Sequence, residues 1–412
     1  MGCSSPPFFE HALDHAIPLS MQWDLTWRCD HQCVHCYLTE RRQEELSYEE
    51  GVDLLDQLAS AGVMMLLISG GDPFLRPDAL DLLKAATQRG FDLKINTHGN
   101  FIDECLADEL AQLNVSRVSL SVYSVHEHEH EAITLIDGSH RKTLNAARLL
   151  VERGVDVNFK TPVMLHNRTG WEGVGDLAEE IGAKWEVDGH IIADDQSDFG
   201  LCKIGVDPTD RVLAVLNAMK PHRSSAATFD QLPPTPSSAR TCSAGTVSGY
   251  VSPDGRIFPC INWREEMGEI RKEEFAQIWH HSSVAQKQRQ VRRASYLQDC
   301  QGCAFHHHCN YCPGISHAET GDATRRSAYV CERTHITMGA IEYLTRLNED
   351  QKPIPKVDSA EAFELFNQPV PFAQRQWAAR SAGVSRPSDG LYPQSSSSSL
   401  SALVQITDPR SS

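Results

Sequence analysis

Three cysteines stand close together near the start of the chain, as Cys29-x3-Cys33-x2-Cys36. Thiolates at this spacing can hold three irons of a cubane cluster and leave the fourth open to a small molecule. A structural zinc ion is the alternative reading, with His31 or His35 available as a fourth ligand. A second group comprises Cys242, Cys260, Cys300, Cys303, Cys309, Cys312 and Cys331, which leaves only Cys3, Cys105 and Cys202 apart. Thirteen cysteines in 412 residues without a visible signal peptide do not read as a disulfide framework, and the odd count would strand one. Two groups of this kind read as metal chemistry, with the thiolate as ligand.

Two histidine motifs compete for attention. His126-Glu-His-Glu-His130 satisfies His-Glu-x-x-His, the zinc signature of metalloproteases. That chemistry needs a helix with both histidines on one face and a third ligand beyond it. Here the motif follows a strand, so the expectation is a charged, solvated loop. His306-His307-His308 lies between two cysteines and could tune or ligate a metal, although loop histidines are usually solvated.

These residues must be positioned by something. From residue 21 to 220 short apolar strands alternate with amphipathic helices: strand Gln22–Trp27, helix Tyr48–Ala61, strand Met64–Ser69, helix Pro77–Arg89. The rhythm continues with Asp92–Thr97, Asp103–Leu113, Val115–Val122, Arg141–Arg153, Asp156–Pro162, Trp171–Ile181, Trp185–Ile192 and Pro208–Met219. Six strand–helix units predict an α/β fold, a parallel sheet curled into a partial (β/α)6 barrel. Chemistry then gathers at the C-terminal strand ends, where Cys29, Gly70-Gly71-Asp72 and Asn96 fall. A Pro/Ser stretch, Gln231–Ser238, reads as a linker into a cysteine-rich segment. That segment has sparse predicted structure, a hairpin across Gly249–Cys260 and a helix around Glu273–His280, so metal is expected to hold it. The expected division is an N-terminal extension 1–20, a barrel 21–230, a cysteine-rich domain 240–347 and a disordered tail 350–412.

The segment Cys29-Asp-His-Gln-Cys33-Val-His-Cys36-Tyr37, followed by a strand ending Ser69-Gly-Gly-Asp-Pro73, resembles the radical S-adenosylmethionine (radical SAM) enzymes. The resemblance covers roughly residues 20–220. It implies a 4Fe–4S cluster on Cys29, Cys33 and Cys36, with S-adenosylmethionine chelating the unique iron. It assigns Gly70, Gly71 and Asp72 to the methionine amino group, with Asp72 standing where the family has Glu. Ser121 is placed near the methionine or ribose, and the backbone of His35 near adenine. The second cysteine group resembles the SPASM extension, an auxiliary iron–sulfur module, with x2 between Cys309 and Cys312 where the family usually has x3. Carried over by position, Cys300, Cys303, Cys309 and Cys331 would close one cluster. Cys242, Cys260 and Cys312 would hold another that lacks an obvious fourth cysteine. A zinc site on Cys300/Cys303 and Cys309/Cys312 is the competing reading. Cys202 is a candidate extra ligand or hydrogen-atom donor.

The resemblance implies a maturase acting on a ribosomally made peptide or protein by 5′-deoxyadenosyl-radical hydrogen abstraction, giving a crosslink, a thioether or an epimerised residue. An enzyme acting on a cofactor precursor such as a haem intermediate is the first alternative. A non-catalytic iron–sulfur electron carrier is the second. Expected partners are the peptide or protein substrate, an electron donor such as flavodoxin or ferredoxin, and a separate leader-binding protein, since about twenty residues before the first strand are too few for such a domain. A formal charge of −17 argues against broad nucleic-acid or anionic-membrane binding. The longest strongly apolar run, Val63 to Ile68, cannot cross a bilayer, and Pro6 spoils a myristoylation pattern. The expected location is the cytoplasm.

Overall fold

A computed structural model describes residues 7–41, 44–206, 208–219, 235–300, 303, 305–349 and 354. Apart from residue 354, the expected tail lies outside the described residues, as do residues 231–234 of the linker and Cys3.

Six parallel strands form as the alternation predicts: β1 (Ser20–Thr26), β2 (Met65–Gly70), β3 (Asp92–Thr97), β4 (Arg117–Ser121), β5 (Val157–Pro162) and β6 (Lys184–Asp188). Successive side chains point to opposite faces of a strand. Met21, Trp23, Leu25, Leu66, Ile68, Ile95, Val118, Leu120 and Phe159 are buried in the main core with the helices. The residues alternating with them along the strands, Gln22, Lys94, Asn96, Ser119, Ser121 and Lys160, therefore share the other face, where Lys160 Nζ donates to Asn96 Oδ1 at 3.3 Å. Helix 48–60 shows how local chemistry sets an element's start. Ser47 and Glu50 form a reciprocal capping box, worth about 1 kcal/mol, and Leu54, Leu55 and Leu58 fill the core behind it.

Three short strands continue the sheet: β7 (Ser248–Val251), β8 (Arg256–Phe258) and β9 (Gly268–Glu269). The order is β6-β5-β4-β3-β2-β1-β7-β8-β9, an open sheet with two edges rather than a closed barrel. The hairpin expected at Gly249–Cys260 is β7–β8, and β7 also pairs in parallel with β1. The cysteine-rich segment thus begins as part of the main sheet. Arg271 reinforces the joint through a two-pronged ion pair with Glu50, the same residue that closes the capping box.

Two expectations need correction. The segment beyond the linker is not sparse in structure. It holds helices Phe275–His281, Ser283–Gln290, Pro313–Thr320 and Ala328–Glu349, and the first of these packs Phe275, Ile278 and Trp279 into the main core. The His126–His130 stretch is not a loop either, because Glu127–Thr134 is helical with His126 at its N-cap. The protease reading still fails. His130 is buried with its Nδ1 accepting the Tyr123 backbone N–H, while His126 is exposed.

Candidate active site

The loop after β1 carries Cys29, Cys33 and Cys36, all partly buried and with free thiols. It is tied down by backbone bonds from Gln32 N to Thr134 O at 3.1 Å and from Val34 N to Ile133 O at 3.0 Å. The three thiols sense one another. Cys33 is pushed up to about 12 by burial and by the neighbouring Cys29 and Cys36 thiolates. Burial also raises the Cys36 thiol, so Cys33 and Cys36 give up their protons most readily to a metal, and three crowded thiols fit a metal cluster.

β2 reaches the same place and ends in the glycine pair. Gly71 N donates to Thr26 O at 2.8 Å and Asp72 N to Arg28 O at 2.9 Å, which seats the strand end directly on the start of the cysteine loop. No side chain fits there. An added Cβ would lie 2.0 Å from Thr26 O at Gly70 and 2.2 Å from Arg28 O at Gly71, and Gly70 has φ +138°. Gly71→Ala is expected to push the Arg28 backbone away, destabilise the protein by roughly 1–3 kcal/mol and lower its iron content. Thermal melts and iron assays on the anaerobically purified variant check this.

Asp72 has no exposed surface. Its Oδ1 accepts Phe74 N at 3.0 Å, while Oδ2 accepts Thr97 Oγ1 at 2.5 Å and His98 N at 3.1 Å. These bonds hold the loop after β3. One side chain that reaches the cysteine loop is His98, 7% exposed and placed just past β3. Its Nδ1 accepts Asn100 N at 3.1 Å, so the ring proton sits on Nε2. Nε2 lies 2.9 Å from Asp30 Oδ1 and 3.2 Å from Asp72 Oδ2, yet it aligns a hydrogen bond with neither. The two carboxylates favour a charged ring, whereas the Asn100 contact favours a neutral one. Burial works against a charge on His98, but Asp72, Asp30 and Cys29 outweigh it and push its pKa up to about 10. Cys29, Asp30 and His98 gather their ligand atoms within 4.8 Å of one another. The sequence reading passed over His98; its one signal was its place at a C-terminal strand end.

Ser121 ends β4 opposite Lys160, and Tyr123 next to it interacts with both Ser121 and Cys33. His35 stands edge-on to Tyr123 at 5.0 Å, with a buried Nδ1 that has no hydrogen-bond partner and a pKa lowered to about 4 by burial.

The remaining cysteines fall into two places. Cys300, Cys303, Cys309 and Cys331 line one cavity together with Tyr311, Arg326 and Thr334. Their sulfurs have polar neighbours: Arg326 Nε donates to Cys331 Sγ at 3.3 Å, and Thr334 Oγ1 lies 3.2 Å from Cys309 Sγ. Cys260 is close to Cys312 and Cys242, and burial with these two thiolates pushes it up to about 12. Cys202 packs in the apolar cluster that also holds Cys300, Cys309 and Tyr311. It is buried, with its Sγ donating to Ile191 O at 3.1 Å.

Among the described residues no helix is long and apolar enough to cross a membrane. Residues 24–181 match the Radical SAM superfamily, and residues 242–304 match SPASM, an iron–sulfur cluster-binding domain. The AdoMet-dependent heme synthase of Methanosarcina barkeri is 25% identical over 343 residues, which is 77% of this chain and 97% of that protein. The mycofactocin maturase MftC of Mycobacterium ulcerans is 27% identical over 328 residues, 73% of this chain and 84% of that protein. Among solved structures, Streptococcus suis SuiB bound to its precursor peptide SuiA superposes with a TM-score of 0.62 at 15% identity, over 79% of this chain and 82% of that one.

Proposed function

Because the chain belongs to the radical SAM superfamily and carries a SPASM iron–sulfur module, we propose that it is a maturase that abstracts a hydrogen atom from a ribosomally made peptide. The observation that carries this reading is the convergence of Cys29, Cys33 and Cys36 with the Gly70–Asp72 strand end at the mouth of an open parallel sheet. When bound on those cysteines, a 4Fe–4S cluster would supply the electron that splits S-adenosylmethionine into methionine and a 5′-deoxyadenosyl radical. The chain's own part is to orient and exclude. Gly70 and Gly71 let the β2 backbone lie against the loop, Asp72 fixes the β3 loop, and His98 presents an N–H toward Cys29 and Asp30. His35, Tyr123 and Ser121 wall the side toward β4. Two auxiliary clusters would sit on Cys300/Cys303/Cys309/Cys331 and on Cys242/Cys260/Cys312; a flavodoxin or ferredoxin would be the enzyme's electron donor, and a separate protein would bind a leader. The peptide class is supported by maturases among the relatives and by a neighbour solved with a precursor peptide.

A second reading, a cofactor precursor such as a haem intermediate, is favoured by one observation. The heme synthase aligns over nearly its whole length. Anaerobic co-expression with a candidate precursor peptide, followed by mass spectrometry, separates the two. A mass change that requires Cys29, Cys33 and Cys36 supports the maturase. An untouched peptide alongside turnover of iron coproporphyrin III supports the second reading.

Asp72→Ala is expected to weaken S-adenosylmethionine binding about tenfold, equivalent to roughly 1.4 kcal/mol, with iron content intact. The carboxylate anchors Phe74, Thr97 and His98 beside the glycine pair but is hydrogen-bonded to none of the cysteines. Unchanged affinity in equilibrium binding would remove these loops from the site.

A further inference from the structure

Arg264 stands four residues after Cys260, in the loop between β8 and β9. Its guanidinium lies over the Tyr37 ring, 5.8 Å from the centroid, and over the Tyr250 ring at 5.1 Å. Tyr37 directly follows Cys36, and Tyr250 belongs to β7. The cation therefore bridges the catalytic cysteine loop and the segment that bears Cys260. Its Nε is buried without a hydrogen-bond partner, and among the described residues no carboxylate comes within ion-pair distance.

That isolation is unusual in this molecule. Arg76 pairs with Asp78, Arg211 with Glu332 and Arg28 with Glu45, while Arg293 donates to the His306 and Cys309 carbonyls. The nearby carboxylate, Asp24, is already committed. Its Oδ1 accepts Gln22 Nε2 at 3.0 Å, and its Oδ2 accepts Tyr250 OH at 2.9 Å and Trp27 Nε1 at 3.2 Å. Burial raises its pKa, while these hydrogen bonds and the nearby Arg264 charge pull it down. Stacking on two tyrosines offsets part of the desolvation of a guanidinium, but a fork of N–H donors without an acceptor remains an incomplete site.

We propose that Arg264 is the recognition point for a carboxylate of the substrate, gripped by the guanidinium fork where it stacks on Tyr37 and Tyr250. This rests on the active-site reading above and adds the substrate chemistry: an acidic side chain or terminus of a peptide, or the propionate of a tetrapyrrole. A planar carboxylate matches the fork in two-pronged geometry, which an ammonium cannot reproduce. The methionine carboxylate of S-adenosylmethionine is the other source of the same chemistry. Position argues against it, since the glycine pair lies on the β2 side of β1 and Arg264 on the β7 side.

The test uses the full-length, cluster-loaded enzyme in anaerobic equilibrium binding. Two carboxylate probes are acetyl-triglutamyl amide and iron coproporphyrin III. Their uncharged counterparts are the triglutamine peptide and the tetramethyl ester. At least one carboxylate probe is expected to bind the wild type, and Arg264→Gln should weaken it by roughly tenfold or more. Affinity for the uncharged counterpart, affinity for S-adenosylmethionine and iron content should stay level. Arg264→Lys keeps the charge but not the fork, and should fall between the two; it carries the comparison if the Gln variant loads clusters poorly. Equal carboxylate affinity in wild type and variants, no binding of either carboxylate probe at millimolar concentration, or a loss confined to S-adenosylmethionine would each overturn the assignment. Binding of the porphyrin alone, still sensitive to Arg264, would leave the carboxylate site standing and refute the peptide reading.

Discussion

Replacing Cys29, Cys33 and Cys36 together by Ala is expected to remove about one cluster's worth of iron and sulfide from protein that otherwise carries about three, and to abolish cleavage of S-adenosylmethionine. The loop should survive the change. Its path is set by backbone bonds to Ile133 and Thr134 and by the glycine pair, none of which involves a sulfur. The auxiliary cysteines belong to other segments, so their iron should remain. The effect on turnover should be complete, because under the proposed function these three thiolates hold the electron-donating cluster. Anaerobic reconstitution, iron and sulfide assays and chromatography for 5′-deoxyadenosine provide the measurement. Continued 5′-deoxyadenosine production by the triple variant would mean that the catalytic cluster lies elsewhere.

Iron removal is expected to act unevenly along the chain, with its largest effect on residues 293–327. There Cys300, Cys309 and Cys312 sit in a small cluster with Tyr296, Tyr311, Ile315 and Tyr329, and Cys303 packs with Phe305, Met338 and Ile341. Burial raises the pKa of Cys300 and of Cys331, and pushes Cys309 up to about 11, so the emptied site would hold protonated thiols around a void. The neighbouring stretches have other support. Val251, Ile257, Phe275, Trp279 and Ala285 belong to the main core. Farther on, Ile336, Ala340, Tyr343 and Leu344 pack against Leu213 and Leu216 of helix 208–219. Hydrogen exchange before and after anaerobic chelation should therefore show protection lost at 293–327 and retained at 248–285 and 336–347. Uniform loss along the cysteine-rich segment would show that metal, rather than packing, holds all of it.

This unevenness also marks where the sequence was legible. Six strand–helix units could be read because each buries one face at a regular period, and three cysteines at close spacing announce themselves without any fold. The partition of the remaining seven cysteines came from the resemblance to the SPASM extension, not from spacing alone; in the structure Cys300, Cys303, Cys309 and Cys331 line one cavity, and Cys260 lies near Cys242 and Cys312. What escaped was non-local or aperiodic. Nothing in Ser248–Val251 says that its partner is β1, more than two hundred residues earlier. Helix 127–134 hides in Glu-His-Glu-His because its polar residues show little amphipathic pattern, yet Glu129 and His130 are buried. His98 and Arg264 carry no motif. Their meaning comes from what stands beside them: Cys29 and Asp30 in one case, two tyrosine rings in the other.

The pairing of β1 with β7 also bears on how the chain is made. Synthesis delivers β1 first, and β2 to β6 are complete by Asp188, but the outer edge of β1 must wait for Val251 to emerge. During that interval a strand carrying Met21, Trp23 and Leu25 exposes an unpaired row of N–H and C=O groups, the template on which foreign strands add. Late long-range pairing of this kind is slow to form. A nascent chain stalled between residues 188 and 251 would be a natural client for holding chaperones, and a fragment cut in that interval should aggregate even though six of its nine strands are present.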